Sequence, residues 1–133
     1  LVFVIVLMTN LIDKDNFSKL RYSIVTIYED RIVASDLIFE IALMIQEKEI
    51  AAAISDSSFF NEKNEQVNQR IQELIERYGQ TKLTREEREI FNDLKDNLKN
   101  LEKLEEEFIS SGLKSNVDLF YSIKDIVYNL YDL

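Results

Sequence analysis

The sequence predicts an all-α protein, an up-down-up-down four-helix bundle whose long first helix extends beyond the bundle. Three observations carry this. The chain has no Pro and two Gly in 133 residues, so a sheet with several tight turns is improbable while helix-forming Leu, Ile, Glu, Lys and Asn abound. Apolar residues recur at three-to-four spacing in several stretches, the period of a helix with one buried face. Three turn signals divide those stretches into four segments.

The first segment opens on an apolar run, residues 1–8, and continues to Ile54 without Pro or Gly. Eight apolar residues are too few to span a bilayer, which needs roughly 20. No small-residue cleavage pattern follows the run. Residues 1–12 are therefore expected to be the end of an uncleaved membrane-anchor helix, with the folded domain over 13–133. The only weak interior point is Asp13-Lys14-Asp15-Asn16. Helix one is expected over about 13–55, ending in Ser55-Asp56-Ser57-Ser58, a cluster of residues that cap helices and form turns.

Helix two, about 60–78, carries Val67, Ile71, Leu74, Ile75 and Tyr78 on a narrow stripe and stops at Gly79, read as a left-handed C-cap. Helix three, about 85–111, begins with a capping box: Thr84 caps the Glu87 amide while Glu87 reaches back to Thr84. Its stripe of Ile90/Phe91, Leu94, Leu98, Leu101, Leu104 and Phe108 is close to a heptad seam, and Gly112 ends it. Helix four, about 115–133, turns Leu119/Phe120, Ile123, Ile126/Val127 and Leu130 inward.

These lengths constrain the geometry. Helix two covers only about the upper half of helix one before Gly79, so antiparallel pairing puts Tyr78 near the level of Asp36. Helix four descends about as far. Residues before about Asp30 then lack a partner from this chain. The stretch from Leu37 to Ile45 is apolar nearly all round, and helix four adds Tyr121, Tyr128 and Tyr131 beside its inward positions. Helices one and four are expected to bury a second face, and a homodimer interface is its simplest consumer.

Composition excludes several functions. With no His and no Cys there is no Ser-His-Asp triad, thiolate nucleophile, imidazole metal ligand or Glu-x-x-His di-iron site. Glu102, Glu105, Glu106 and Glu107 lie among Lys99 and Lys103 at spacings typical of a solvated helix face. Neither Gly belongs to a phosphate-binding loop. No catalytic residue, metal or cofactor is expected. A net charge of −9 argues against nucleic acid and anionic lipid surfaces.

Tyr28 and Arg31 lie three apart on one helix face, beside Glu29 and Asp30. Physics alone favours a snorkelling Tyr and an Arg in surface pairs. The functional alternative presents Arg31 to a small carboxylate ligand with Tyr28 closing one side, and Arg21 below them is the third candidate.

The run Ile27-Tyr28-Glu29-Asp30-Arg31, followed by apolar Ile32, Val33, Leu37 and Ile41, resembles the first-helix signature of the four-helix-bundle sensor domain of bacterial methyl-accepting chemotaxis receptors. Many relatives carry a Pro shortly after the Arg, where this chain has Ala34. The resemblance spans nearly the whole chain and implies an anchor helix upstream, a periplasmic bundle, a second membrane helix downstream and often dimerisation. It carries over no defined ligand residues. The expected function is an extracytoplasmic sensor module at the inner membrane, facing the periplasm, that transmits binding of an unidentified small molecule or protein through shifts of helices one and four. The rival expectation is a membrane-tethered adaptor bundle that binds another protein through its apolar face; a helical enzyme ranks third.

Overall fold

The computed structural model describes the backbone of residues 2–114 and 116–133, and the side chains of residues 19, 21–114 and 116–133. The chain falls into two compact units, Leu1–Val33 and Ala34–Leu133. Among the described residues it forms four α-helices and no strand: α1 (Val2–Ala53), α2 (Asn64–Gly79), α3 (Arg85–Ser110) and α4 (Val117–Asp132). A π-helical turn, Phe59–Lys63, leads into α2. The side chains of the apolar run at residues 1–8 lie outside the described residues, as does Ser115, the expected start of the fourth helix. The backbone of α1 is helical through residues 13–16, with no break at the weak point.

In the Ala34–Leu133 unit the core follows the seams. Ala34, Leu37, Ile41, Ile45 and Ala52 of α1 are buried against Ile71, Leu74, Ile75 and Tyr78 of α2, Phe91, Leu94, Leu101 and Phe108 of α3, and Leu119, Ile123, Ile126 and Leu130 of α4. Cross-helix contacts fix the directions. Lys48 meets Asn64 and Glu40 meets Arg70, so α1 and α2 run antiparallel, in a register that sets Tyr78 level with about Ala34. Asn97 meets Asn129 between α3 and α4. Ser55 Oγ donates to Leu113 O at 3.3 Å, joining the loops that follow α1 and α3 at one end, the apical end.

Helix ends explain where the chain turns. The Thr84–Glu87 capping box forms in both directions. At the end of α3, Gly112 has φ 76, Leu113 N donates to Phe108 O and Gly112 N to Ile109 O. That is a Schellman closure with glycine in the left-handed position. The end of α1 repeats it with a serine: Ser55 has φ 52, Asp56 N donates to Ala51 O and Ser55 N to Ala52 O. Asp56 Oδ1 then accepts from Phe59 N at 3.1 Å and starts the next helix.

Gly79 corrects an expectation. It is the last residue of α2 and does not have positive φ; Gln80 follows at φ −85. Phe91 passes its face, so that a Cβ there would meet Phe91 Cε1 at 3.5 Å, an ordinary contact. The helix stops without a left-handed residue because Thr81 supplies the end: its amide and its hydroxyl both donate to Tyr78 O.

Candidate functional site

The seams that build the core each carry one polar residue at the same level. On α1 the seam runs Ala34, Leu37, Ile41, Ile45, Lys48, Ala52; on α3 it runs Phe91, Leu94, Leu98, Leu101, Glu105, Phe108. Lys48 lies five residues before the end of α1 and Glu105 five before the end of α3, each about 7.5 Å below the apical end. Asn64, the first residue of α2, meets them from the third side. Its amide donates to Phe59 O to close the π-helical turn.

The three side chains form a buried cluster. Lys48 Nζ donates to Asn64 Oδ1 at 2.7 Å, to Glu105 Oε1 at 2.8 Å and to Glu105 Oε2 at 2.7 Å. Those bonds use all three donors of the ammonium. Lys48 is 2%, Glu105 3% and Asn64 6% exposed. Apolar groups close the cluster towards the apical end, where Phe60 and Phe108 meet edge to face at 5.2 Å, with Phe59 against Phe60 at 5.3 Å. Leu101 lies one turn below Glu105 and is buried.

Burial dominates the electrostatics. It pushes the Lys48 ammonium below its ordinary pKa, against the attraction and hydrogen bonding of Glu105 and a smaller attraction from Glu102. It pushes the Glu105 carboxyl above the usual carboxylate range, against the Lys48 charge and hydrogen bonds from Lys48 and Asn64. The arrangement ties α1 to α3 and to the start of α2 by an ion pair that cannot be broken cheaply, since either charge left alone would stay buried.

Glu105 corrects the reading of α3's acidic run as a solvated face. Glu102, Glu106 and Glu107 are exposed, but Glu105 is not. The strict spacing Leu94, Leu98, Leu101 carries the seam to position 105, whereas Leu104 is only half-buried.

On α4, Ser122 is a further buried polar residue on the seam. Its Oγ has no hydrogen-bond partner among the described residues. The Asn97–Asn129 contact sets the α3/α4 register and places Ser122 at about the level of Glu105.

Among the described residues, three concavities lie in the Ala34–Leu133 unit. One of about 20 Å³, room for roughly one water, is lined by Lys48, Asn68, Gln72, Glu102 and Glu105 together with Ile71, Leu98 and Leu101. A second, of about 180 Å³, lies where α1 meets the π-helical turn, between Glu47, Ile54, Asp56, Phe59 and Lys63. The third, of about 440 Å³, is an open groove between α3 and α4 lined by Asp93, Asp96, Asn97, Asp125, Tyr128 and Asn129. Among the described residues no acidic group converges to hold a metal ion.

Tyr28, Arg31 and Arg21 lie in the Leu1–Val33 unit, whereas all three concavities are lined by residues of the other unit. Tyr28 is 67% exposed and Arg21 is exposed. Arg31 Nη2 pairs with its chain neighbour Asp30 Oδ2 at 2.8 Å, a contact between adjacent residues. Among the described residues, no helix is long and apolar enough to cross a membrane.

Compared with known proteins, residues 1–127 match the model of a family described as a four-helix-bundle sensory module for signal transduction. No curated protein and no solved structure matches the chain.

Proposed function

The chain belongs to the family of four-helix-bundle sensory modules for signal transduction, and on that premise we propose that it is the extracytoplasmic sensor of a bacterial membrane receptor, acting as a homodimer. In this reading the apolar segment at residues 1–8 belongs to an inner-membrane anchor, and the bundle faces the periplasm. A small molecule or a partner protein bound at the bundle shifts α1 and α4 by ~1–2 Å, and the shift passes into the membrane.

The observation that carries the dimer is a second apolar face on α1. Ala34, Leu37, Ile41 and Ile45 are buried, yet Phe39, Leu43, Ile50 and Ile54 are exposed at steps of four, seven and four. That spacing keeps Phe39, Leu43 and Ile50 of α1, and Ile54 just past its end, on the side away from the core, an apolar face on which the helix can pack against its own copy. Tyr121, Tyr128 and Tyr131 of α4 are likewise exposed. For a small carboxylate ligand the contacts proposed are Arg31, with Tyr28 beside it, and Arg21.

These 133 residues contain no cysteine, so, with any cysteine outside them replaced, disulfide cross-linking reads single introduced thiols. In the full-length protein in its membrane, Phe39→Cys is expected to give a covalent dimer under mild oxidation, while Glu76→Cys on the outer face of α2 stays monomeric. Equal, slow cross-linking of both variants would count against the shared α1 seam.

A further inference from the structure

We propose that Lys48 has two seats one helical turn apart, Glu105 with Asn64 and Glu102 with Asn68, and that its side chain passes between them through the small cavity that Lys48, Asn68, Glu102 and Glu105 line. The first seat is the one the structure shows. The second repeats its chemistry. Glu102 is three residues before Glu105 on α3, and Asn68 is four after Asn64 on α2. Because α2 and α3 run antiparallel, both steps lead away from the apical end, so each residue type recurs on the same helix face one turn lower.

Space and reach fit the exchange. Lys48, Asn68, Glu102 and Glu105 line one cavity of about 20 Å³, roughly the room that one water, or an ammonium head of similar size, needs. Side chains on a helix lean towards its N-terminus, which for Lys48 is the direction of the second seat, and four methylenes give the head its swing. The seats differ in wetness: Glu105 is buried, whereas Glu102 is exposed at the rim.

That difference makes the exchange proton-linked. The groups facing Lys48 are Asn64, Asn68 and Gln72 from α2 and Glu102 and Glu105 from α3, with the Ser122 hydroxyl at that level of α4. Among these facing groups only the two glutamates carry a carboxyl. Burial already favours the neutral form of Glu105, so acid that protonates it removes the partner of the first seat, and the ammonium passes to the second. The exchange moves α1's tie from one level of α3 to the next, and it stands whether or not the chain is a receptor module.

Proton NMR of the chain through an acid titration tests this. At neutral pH, cross-relaxation from the Lys48 Cε protons is expected to reach the Asn64 side-chain amide. As the Glu105 carboxyl carbon titrates, that contact should give way to one with Asn68. Glu102→Gln, a change at an exposed position, should lower the midpoint of the swap by about half a pH unit, the shift given by a rim partner worth roughly a factor of three. Glu105→Gln supplies the same reading at neutral pH, where acid unfolding cannot interfere, and should show the Asn68 contact there. A Lys48 that keeps Asn64 in that variant, or a swap whose midpoint ignores Glu102→Gln, would overturn the proposal.

Discussion

Lys48 Nζ lies 2.7 Å from Glu105 Oε2 in the core near the apical end, joining α1 to α3, with both side chains buried. The exposed pair Arg70–Glu40, at 3.1 Å, joins α1 to α2 on the surface. The two have similar geometry and opposite energetics. A surface pair is worth roughly 0–1 kcal/mol, whereas a buried pair costs much to create and more to break by halves.

Removing one partner leaves a buried charge alone. Lys48→Met and Glu105→Leu are each expected to destabilise the fold by about 3–5 kcal/mol, and the double replacement to be neutral or more stable than the native chain by up to about 4 kcal/mol. Urea unfolding followed by far-ultraviolet circular dichroism measures all three. Additive single and double effects would show that the two side chains do not act as a pair.

The same pair sets a pH dependence. Glu105 binds its proton more tightly in the folded chain, so its share of stability is present below its ordinary value of 4.5 and is lost as pH rises through the raised folded pKa. Lys48 is a lowered base, so its share is present above 10.5 and is lost as pH falls through its lowered folded pKa. The ionised pair therefore costs most between those two folded values. The stability advantage of the double variant should be greatest near neutral pH and shrink towards pH 4.5 and towards pH 10.5. Urea midpoints at the three pH values read it; an advantage that grows towards acid contradicts the assignment.

The two glycines should respond with opposite signs. Gly112→Ala puts a Cβ at φ 76 and is expected to cost about 1–2 kcal/mol. Gly79→Ala meets only an ordinary contact with Phe91 and restricts the unfolded chain, which should stabilise by about 0.4–1 kcal/mol. Thermal unfolding of the two variants compares them directly.

Thr84→Ala removes the acceptor for the Glu87 amide and should cost about 0.5–2 kcal/mol. Hydrogen exchange should then report earlier opening in the first turn of α3, while the apical end keeps its protection.

What was legible in the chain follows from how local each signal is. The capping box and Gly112 are readable because their hydrogen bonds close within a few residues. The apolar seams are readable because they repeat. The polar layer was not read, because Lys48, Asn64 and Glu105 are 16 and 57 residues apart from one another along the bonds they make. Within α3, Glu105 stood in a run of surface glutamates. The signal was nonetheless present: continuing Leu94, Leu98 and Leu101 by four reaches Glu105, and continuing Ile41 and Ile45 by three reaches Lys48. Two opposite charges on two core seams call for each other. The π-helical turn was harder, since nothing in Phe59-Phe60-Asn61-Glu62-Lys63 marks it locally; it brings both Phe59 and Phe60 inward. Ser55 in the left-handed position was hidden by the preference of that conformation for glycine.

The proposed sensor faces out of the cytoplasm, and its orientation can be read chemically. Glu76 is exposed on α2, and these 133 residues supply no competing thiol. The most direct measurement is labelling of Glu76→Cys, in the full-length protein, by a membrane-impermeant thiol reagent added to cells whose outer membrane has been opened and whose inner membrane is intact. Labelling in intact cells is expected at the level reached after lysis. Labelling that appears only once the inner membrane is broken would contradict that orientation.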